Sequence, residues 1–288
     1  MIPERLTALR EEMKRRSIDI YVVPTADFHE SEYVGEHFKA RKFITGFTGS
    51  AGTAVITLDE AGLWTDGRYF VQAENQLKDS TVTLYRMGEE GVPTVDEFVK
   101  DRLKEGGCLG FDGRVVNGTW GGKLEKIAAE KNVSMHVTED LIDLIWEDRP
   151  ALSKQPLFIL EEKYSGKSTA DKIADLRKAM KENGADVHIL TSLYDIAWLL
   201  NIRGNDIDYV PVVLSYLVLN ETECIWFLQE EVVDDTIRAY LKENHIETRP
   251  YDDIYTYVPT IPESAVVLMN KSSVNYRICS ELNKNIQV

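Results

Sequence analysis

The chain contains two copies of one pattern. Leu9-Arg10-Glu11-Glu12-Met13-Lys14 followed by Asp19-Ile20-Tyr21-Val22-Val23 returns as Leu176-Arg177-Lys178-Ala179-Met180-Lys181 followed by Asp186-Val187-His188-Ile189-Leu190. The offset is a constant 167, with Leu, Arg, Met, Lys and Asp identical. A repeat of this length constrains the fold strongly, because each copy must form the same supersecondary unit. Apolar residues first fall at helical spacing, Leu6, Leu9 and Met13 in one copy and Ile173, Leu176 and Met180 in the other. A break follows at Ser17 or Gly184, and then a short β-rich run. That order predicts an amphipathic helix feeding a buried strand, twice over.

The copies stay parallel downstream. Phe43 to Gly49 resembles Leu199 to Gly204, with a shorter connection in the second copy. Two strands around a tight turn come next: Thr53 to Leu58 with Gly62 to Thr65, and Val212 to Leu219 with Glu223 to Phe227. Polar residues between β-rich runs mark the turns, Asp59-Glu60-Ala61 and Asn220-Glu221-Thr222, although neither is an Asn-Gly turn. This alignment places Trp64 opposite Trp226. Helices are expected over Phe70 to Gln76 and Glu231 to Lys242, then over Val95 to Leu103, Lys123 to Lys131 and Ser273 to Leu282. Further strands are expected at Val82 to Tyr85, Cys108 to Phe111 and Val266 to Met269. The fold class is therefore α/β, with two tandem domains that each hold a mixed sheet flanked by helices. Prolines and polar residues from Asp148 to Pro156 set the boundary, giving domains 1–152 and 153–288. The pattern stops at Gln287-Val288 without a closing strand, as expected of a piece of a longer protein.

Composition narrows the function classes. The 33 Lys and Arg against 48 Asp and Glu give a formal net charge of −15, which disfavours nucleic acid as a partner. A hydrophobic share of 43% is ample for a packed core. Cys108, Cys224 and Cys279 are too few and too scattered for a disulfide framework, so they read as buried thiols in a reducing compartment. No signal peptide and no apolar run of about 20 residues is present, so the expected location is the cytoplasm with no membrane partner. The Asn-x-Ser/Thr matches at Asn117, Asn132, Asn220 and Asn270 are then chance.

Catalytic chemistry is hard to find. Asp27-Phe28-His29-Glu30-Ser31-Glu32 through Glu36-His37 holds ligand types suited to a divalent metal. It lacks the H-E-x-x-H spacing that puts two histidines on one helical face, and so reads first as an acidic connecting loop. His188, inside an apolar strand, reads as a satisfied core or interface histidine. Gly46-Phe47-Thr48-Gly49-Ser50-Ala51-Gly52-Thr53 has neither the Gly-Lys-Ser/Thr ending of a phosphate loop nor the dinucleotide spacing, and it precedes a strand. Its glycines are better explained by close backbone approach. There is no Gly-x-Ser-x-Gly elbow and no complete catalytic constellation.

Several long stretches carry a resemblance. Phe43 to Thr57, Leu63-Trp64-Thr65-Asp66-Gly67-Arg68-Tyr69-Phe70-Val71-Gln72-Ala73 and, upstream, Val22 to Tyr33 resemble the first domain of three-domain Xaa-Pro aminopeptidases (aminopeptidase P, in the M24 metallopeptidase group). Ile196 to Val212, with Ser215-Tyr216, resembles that family's second domain. The resemblance covers essentially the whole chain. It implies two creatinase-type N-terminal domains followed, beyond this sequence, by a pita-bread catalytic domain. That domain would hold a dinuclear metal centre, usually manganese, with two Asp, one His and two Glu as ligands. None of those ligands maps onto a position here, so no catalytic residue and no metal site is assigned to this chain. The implied parent is a hydrolase that releases the residue preceding proline. Its expected partners are a proline-containing peptide, its own catalytic domain and a second copy in a homodimer.

One position matches a substrate contact of the family, Arg68. A guanidinium offers several donors in a rigid fork suited to peptide carbonyls or a carboxylate. The competing reading is a structural arginine paired with Asp66. Trp64 and Tyr69 read as packing residues. Arg203-Gly204 with Asp206 and Pro211 reads as a locally paired loop with a structural or interdomain role, ahead of direct substrate contact. The leading function is thus the non-catalytic, substrate-gating and substrate-binding part of a metallo-aminopeptidase, inactive by itself. The alternative is a stand-alone creatinase-like interaction module.

Overall fold

A computed structural model describes residues 1–288, which divide into two compact units. The first holds Met1–Phe28 and Glu36–Ala151; the second holds Leu152–Val288 together with His29–Gly35. In the first, helices α1 (Ile2–Arg15), α2 (Ala40–Thr45), α3 (Phe70–Gln76), α4 (Val95–Arg102) and α5 (Gly118–Glu130) accompany strands β1 (Ile20–Pro24), β2 (Thr53–Thr57), β3 (Ala61–Thr65), β4 (Thr83–Arg86), β5 (Cys108–Phe111) and β6 (Ser134–His136). In the second, α6 (Glu162–Ser165), α7 (Thr169–Glu182), α8 (Leu193–Leu200), α9 (Asp235–Glu243), α10 (Ile254–Tyr257) and α11 (Tyr276–Glu281) accompany β7 (Phe158–Ile159), β8 (Val187–Leu190), β9 (Ile202–Arg203), β10 (Ser215–Asn220), β11 (Cys224–Leu228), β12 (Glu247–Pro250) and β13 (Val267–Leu268).

The sheets have one design. Order β4-β3-β2-β1-β5-β6 in the first unit matches β12-β11-β10-β8-β13 in the second, while β7 and β9 form a separate pair. In both, the hairpin strand (β2 or β10) runs antiparallel to its neighbours and the remaining pairs are parallel. These are two tandem α/β domains with mixed sheets. Leu6, Leu9 and Met13 of α1 bury against Tyr21, Val23, Ala54, Ile56 and Leu63. Ile173 and Met180 of α7 do the same against Leu190, Leu217, Leu219 and Trp226. Each such side chain contributes about 1.5–3 kcal/mol by leaving water.

The repeated polar residues explain why the pattern is kept. Arg10 Nε donates to the Thr57 carbonyl at 3.0 Å, and Arg177 Nε to the Asn220 carbonyl at 2.9 Å, tying each helix to the end of the hairpin's first strand. Asp19 accepts from the Cys108 amide at 2.8 Å, and its own amide donates to the Cys108 carbonyl at 2.9 Å. Asp186 accepts from the Val266 amide at 2.8 Å and donates to the Val266 carbonyl at 2.8 Å. Each aspartate thereby satisfies the first groups of the neighbouring parallel strand, which would otherwise have no ladder partner. The helix ends also match. Ser17 (φ 57°) and Gly184 (φ 68°) take the left-handed conformation, and the next amide, Ile18 or Ala185, donates to Met13 or Met180 at 2.9 Å. A fourth device pairs Arg5 with Lys172. Arg5 lies 4.1 Å from the Phe43 ring centroid and donates to the Phe43 carbonyl at 2.8 Å. Lys172 lies 4.4 Å from the Trp198 ring and donates to the Trp198 carbonyl at 2.7 Å. Phe43 and Trp198 each stand three residues before a left-handed cap, Gly46 (φ 77°) and Asn201 (φ 52°).

Register corrects one alignment. Val23 opposes Ala54, which opposes Leu63; Leu190 opposes Leu217, which opposes Trp226. Trp226 therefore corresponds to Leu63, and Trp64 corresponds to Phe227. Neighbouring strand positions face opposite sides of a sheet, so the two tryptophans do different work. Trp64 packs on the far face, stacked 4.0 Å from Tyr85, with Nε1 donating to the Pro93 carbonyl at 2.8 Å. Trp226 lies in the helix-facing core, and its buried Nε1 has no acceptor.

Several boundaries shift for reasons of capping. α5 begins at Gly118, not Lys123, because Asn117 accepts from the Trp120 amide at 2.9 Å. α9 begins at Asp235, not Glu231, because Asp234 caps it through the Ile237 amide at 2.8 Å. Val212 to Leu214 precede β10 instead of extending it. α11 starts behind its Asn275 cap, and Gln287 forms a parallel bridge to Val266, so the pattern does not end at α11.

Candidate functional site

In the first unit every strand except β2 points the same way. The carboxyl ends of those strands and the loop entering β2 therefore gather along one edge, the place where open α/β sheets ordinarily bind ligands. Arg68 lies on this edge, in the turn that follows β3.

The turn is dictated locally. Asp66 accepts from the Arg68 amide at 3.1 Å, starting a single 3₁₀ turn over Gly67–Tyr69. The same carboxylate takes the guanidinium in a fork, Nε at 2.8 Å and Nη2 at 2.9 Å. That bidentate donation pulls the Asp66 carboxyl down to about 2 and pushes the Arg68 guanidinium further up. The Arg68 side chain is 71% exposed. Two of its five N–H groups hold Asp66, and the other three are open to an additional acceptor. The pair with Asp66 thus leaves the guanidinium exposed, and an exposed pair contributes little to stability.

The same three-residue sequence recurs after β5 as Asp112-Gly113-Arg114 and forms the same fork, in a turn that does not go on into a 3₁₀ helix. Arg114 donates to Asp112 through its amide at 3.0 Å and through Nε and Nη2, each at 3.0 Å. Here, however, Asp112 is buried and Arg114 covers the Phe28 ring at 4.4 Å. The signal for this second turn, absent from the candidates above, is the repeated Asp-Gly-Arg after a strand. The fork is therefore a property of the tripeptide, and exposure is what sets Arg68 apart.

The neighbouring loop, 46–52, supports the turn from beside it. Ser50 Oγ and Tyr69 Oη lie 2.6 Å apart, and Thr65 Oγ1 donates to the Ala51 carbonyl at 2.7 Å. A Cβ on Gly49 would stand 2.2 Å from the Phe47 ring and 2.8 Å from Tyr69, so only glycine lets the backbone pass. Beneath the loop, buried Arg41 donates to the Phe47 carbonyl at 2.5 Å, to the Gly49 carbonyl and to Thr25 Oγ1 at 2.9 Å. Burial pushes its guanidinium down to about 10, still charged at neutral pH. The glycines and Arg41 hold a loop in shape; they do not form a phosphate cradle. Trp64 is a packing residue, as is the ring of Tyr69, edge-on to Phe47 at 5.9 Å.

The other candidates lie elsewhere. His29 is buried within the second unit, with Nδ1 3.0 Å from the Thr191 carbonyl and Nε2 2.6 Å from Tyr251 Oη. A carbonyl only accepts, so Nδ1 carries the proton, and both ring nitrogens are engaged. Asp27, Glu36 and His37 belong to the first unit, and His29, Glu30 and Glu32 to the second. No group of three His, Cys, Asp or Glu side chains is placed to hold a metal ion, and a dinuclear centre does not fit the residues present. His188 Nδ1 donates to the Leu268 carbonyl at 2.9 Å. Arg203 and Asp206 do not pair. Arg203 donates to the Ala197 and Ile202 carbonyls, and Asp206 accepts from the Leu214 amide at 2.9 Å and the Gln155 amide at 3.1 Å. Both therefore fix the backbone around the loop through peptide groups. No helix is long and apolar enough to cross a membrane.

Two family models, each for a creatinase/prolidase N-terminal domain, match residues 5–145 and 148–288. A probable Xaa-Pro aminopeptidase P of Sordaria macrospora is 42% identical over 91% of this chain and 43% of its own length. Aminopeptidase P2 of Arabidopsis thaliana is 37% identical over 97% of this chain and 40% of its own. The crystal structure of X-prolyl aminopeptidase from Caenorhabditis elegans, a cytosolic enzyme with a di-nuclear active site, superposes on all of this chain and 49% of its own with a TM-score of 0.94 at 31% identity. The chain spans about two fifths of the length of the curated relatives it matches. With its two sheets of one design, the chain belongs to the creatinase/prolidase N-terminal domain family, carrying two such domains in tandem as the N-terminal part of the Xaa-Pro aminopeptidases do.

Proposed function

We propose that this chain is the substrate-handling N-terminal part of a cytoplasmic Xaa-Pro aminopeptidase. In this reading it has no hydrolytic activity by itself, and the dinuclear metal, manganese by family usage, belongs to a catalytic domain outside it. The carrying observation is the exposed Arg68 fork. Register places Glu231 at the position of Arg68 in the second unit, also in a 3₁₀ turn (Glu230–Val232), where it pairs with Lys154 at 2.8 Å. The residues that hold the two sheets together occur in both units, whereas this guanidinium occurs in one. That pattern suits a ligand contact better than a fold requirement. Its three open N–H groups suit a peptide carbonyl or a C-terminal carboxylate.

The test is Arg68→Ala in the longer protein. Loss of a charged hydrogen bond to substrate lowers kcat/KM roughly ten- to hundredfold, with metal content unchanged. Arg68→Lys recovers only part of that, since an ammonium cannot reproduce the planar fork. A drop in melting temperature with wild-type kcat/KM would remove Arg68 from the site.

A further inference from the structure

In the first unit, Trp146 lies flat on Phe43, with ring centroids 4.5 Å apart and planes 13° apart, leaving Phe43 only 8% exposed. Trp198, and not Leu199 as the sequence alignment has it, is the counterpart of Phe43, by its cation, by its carbonyl partner and by its distance from the left-handed cap. Yet Trp198 is 55% exposed, and Tyr194, one turn earlier on α8, is 46% exposed. The helix-facing cover that the first unit builds is missing from the second.

Strand register shows where that cover would come from. Trp146 stands twelve residues after Ser134, and Ser134 opens β6 by pairing in parallel with Cys108. The clamps of Asp19 on Cys108 and Asp186 on Val266 make Cys108 and Val266 equivalent. Val266 pairs in parallel with Gln287, and the Val267 amide donates to the Gln287 carbonyl at 2.8 Å. Gln287 thus holds the position of Ser134, at the first residue of a sixth strand.

We propose that the exposed face of α8, Tyr194 with Trp198, is the docking surface for the continuation of this same chain. The residues following Val288 extend the strand beside β13 and lay an apolar or aromatic side chain on the Trp198 ring, as Trp146 does on Phe43. By register, that side chain sits about eleven residues past Val288, from the twelve-residue spacing of Ser134 and Trp146. Two observations favour this occupant over a separate partner. Gln287 is already in register on β13, and the relatives run to more than twice the length of this chain. The proposal is independent of what Arg68 binds.

The test compares the 288-residue chain with the whole natural protein. The Trp198 contribution to fluorescence is isolated by difference against Trp198→Phe in each. In the whole protein it shifts to the blue and its quenching by acrylamide falls several-fold, and the Met269 amide, next along β13, exchanges far more slowly. Alanine at the apolar position about eleven residues past Val288 restores quenching while the Met269 amide stays protected. Equal quenching of Trp198 in both chains overturns the proposal. So does burial of Trp198 in the 288-residue chain as its concentration rises, which would assign the face to a second copy. Burial that survives the alanine substitution assigns the cover to another part of the protein and likewise overturns it.

Discussion

Arg10 and Arg177, Asp19 and Asp186, and the helix caps at Ser17 and Gly184 do the same work in the two units, whereas the turns after their third strands carry opposite charges, Arg68 in one and Glu231 in the other. The shared residues all satisfy backbone groups at places where a helix ends or a strand loses its ladder. A sheet of this order creates those needs wherever it is built, so both copies keep them. The turn is under no such demand, and there the units have diverged. The comparison therefore separates residues required by the architecture from residues available for binding.

The sharpest attempt to break it concerns the two tryptophans. Trp64→Ala and Trp226→Ala are each expected to cost about 3–5 kcal/mol, since both rings are fully buried. Their phenylalanine variants should part company. Trp64→Phe leaves the Pro93 carbonyl without its donor, an added cost of about 1 kcal/mol, while Trp226→Phe loses no hydrogen bond. Urea unfolding of the four variants checks this, and equal costs for the two phenylalanine variants would refute the different hydrogen bonding of the two rings.

Next in size are the strand clamps. Asp19→Ala leaves the part-buried Cys108 amide without its acceptor and should cost about 1–3 kcal/mol, whereas Asp186→Ala, at an exposed Val266 amide that water can reach, should cost about 0.5–1.5 kcal/mol. Hydrogen exchange should quicken locally at the matching amide in each variant. If only one of the pair responds, the two clamps are not equivalent, and the equivalence of Cys108 with Val266 fails with them.

The smallest effect is at the helix caps, where the units differ by one residue type in the same conformation. A side chain in the left-handed region is strained and glycine is not. Ser17→Gly should therefore stabilise by up to about 1 kcal/mol, and Gly184→Ser should destabilise by a similar amount. Thermal melts of the two variants, run against the parent, check the opposite signs.

Much of the scaffold was legible in the residues because its determinants are local or periodic. The spacing of Leu6, Leu9 and Met13 gave α1, and the repeat gave α7 and the matching strand orders. The starts of α5 and α9 were misplaced because Asn117 and Asp234 act as caps through single side-chain bonds, a weaker signal than periodicity. The Trp64 and Trp226 alignment failed by one residue because hairpins of similar pattern can be slid by one position without changing composition, and only the ladder fixes the slide. At the site, the Asp66 fork could be anticipated from adjacent residues in the chain. The support from Arg41, which reaches Phe47, Gly49 and Thr25, could not.

By itself the sequence determined that there are two copies of one α/β design, that each opens with a buried helix and strand, and that Asp66 and Arg68 lie within reach of each other. Those outcomes follow from spacing along the chain. The tertiary structure decided which of two Asp-Gly-Arg turns presents its guanidinium to solvent and which covers a buried ring. It also decided that His29 is enclosed between Thr191 and Tyr251, and that Trp198 stands uncovered where Phe43 is capped by Trp146. Exposure depends on what the rest of the fold lays over a residue, and those neighbours are distant in sequence.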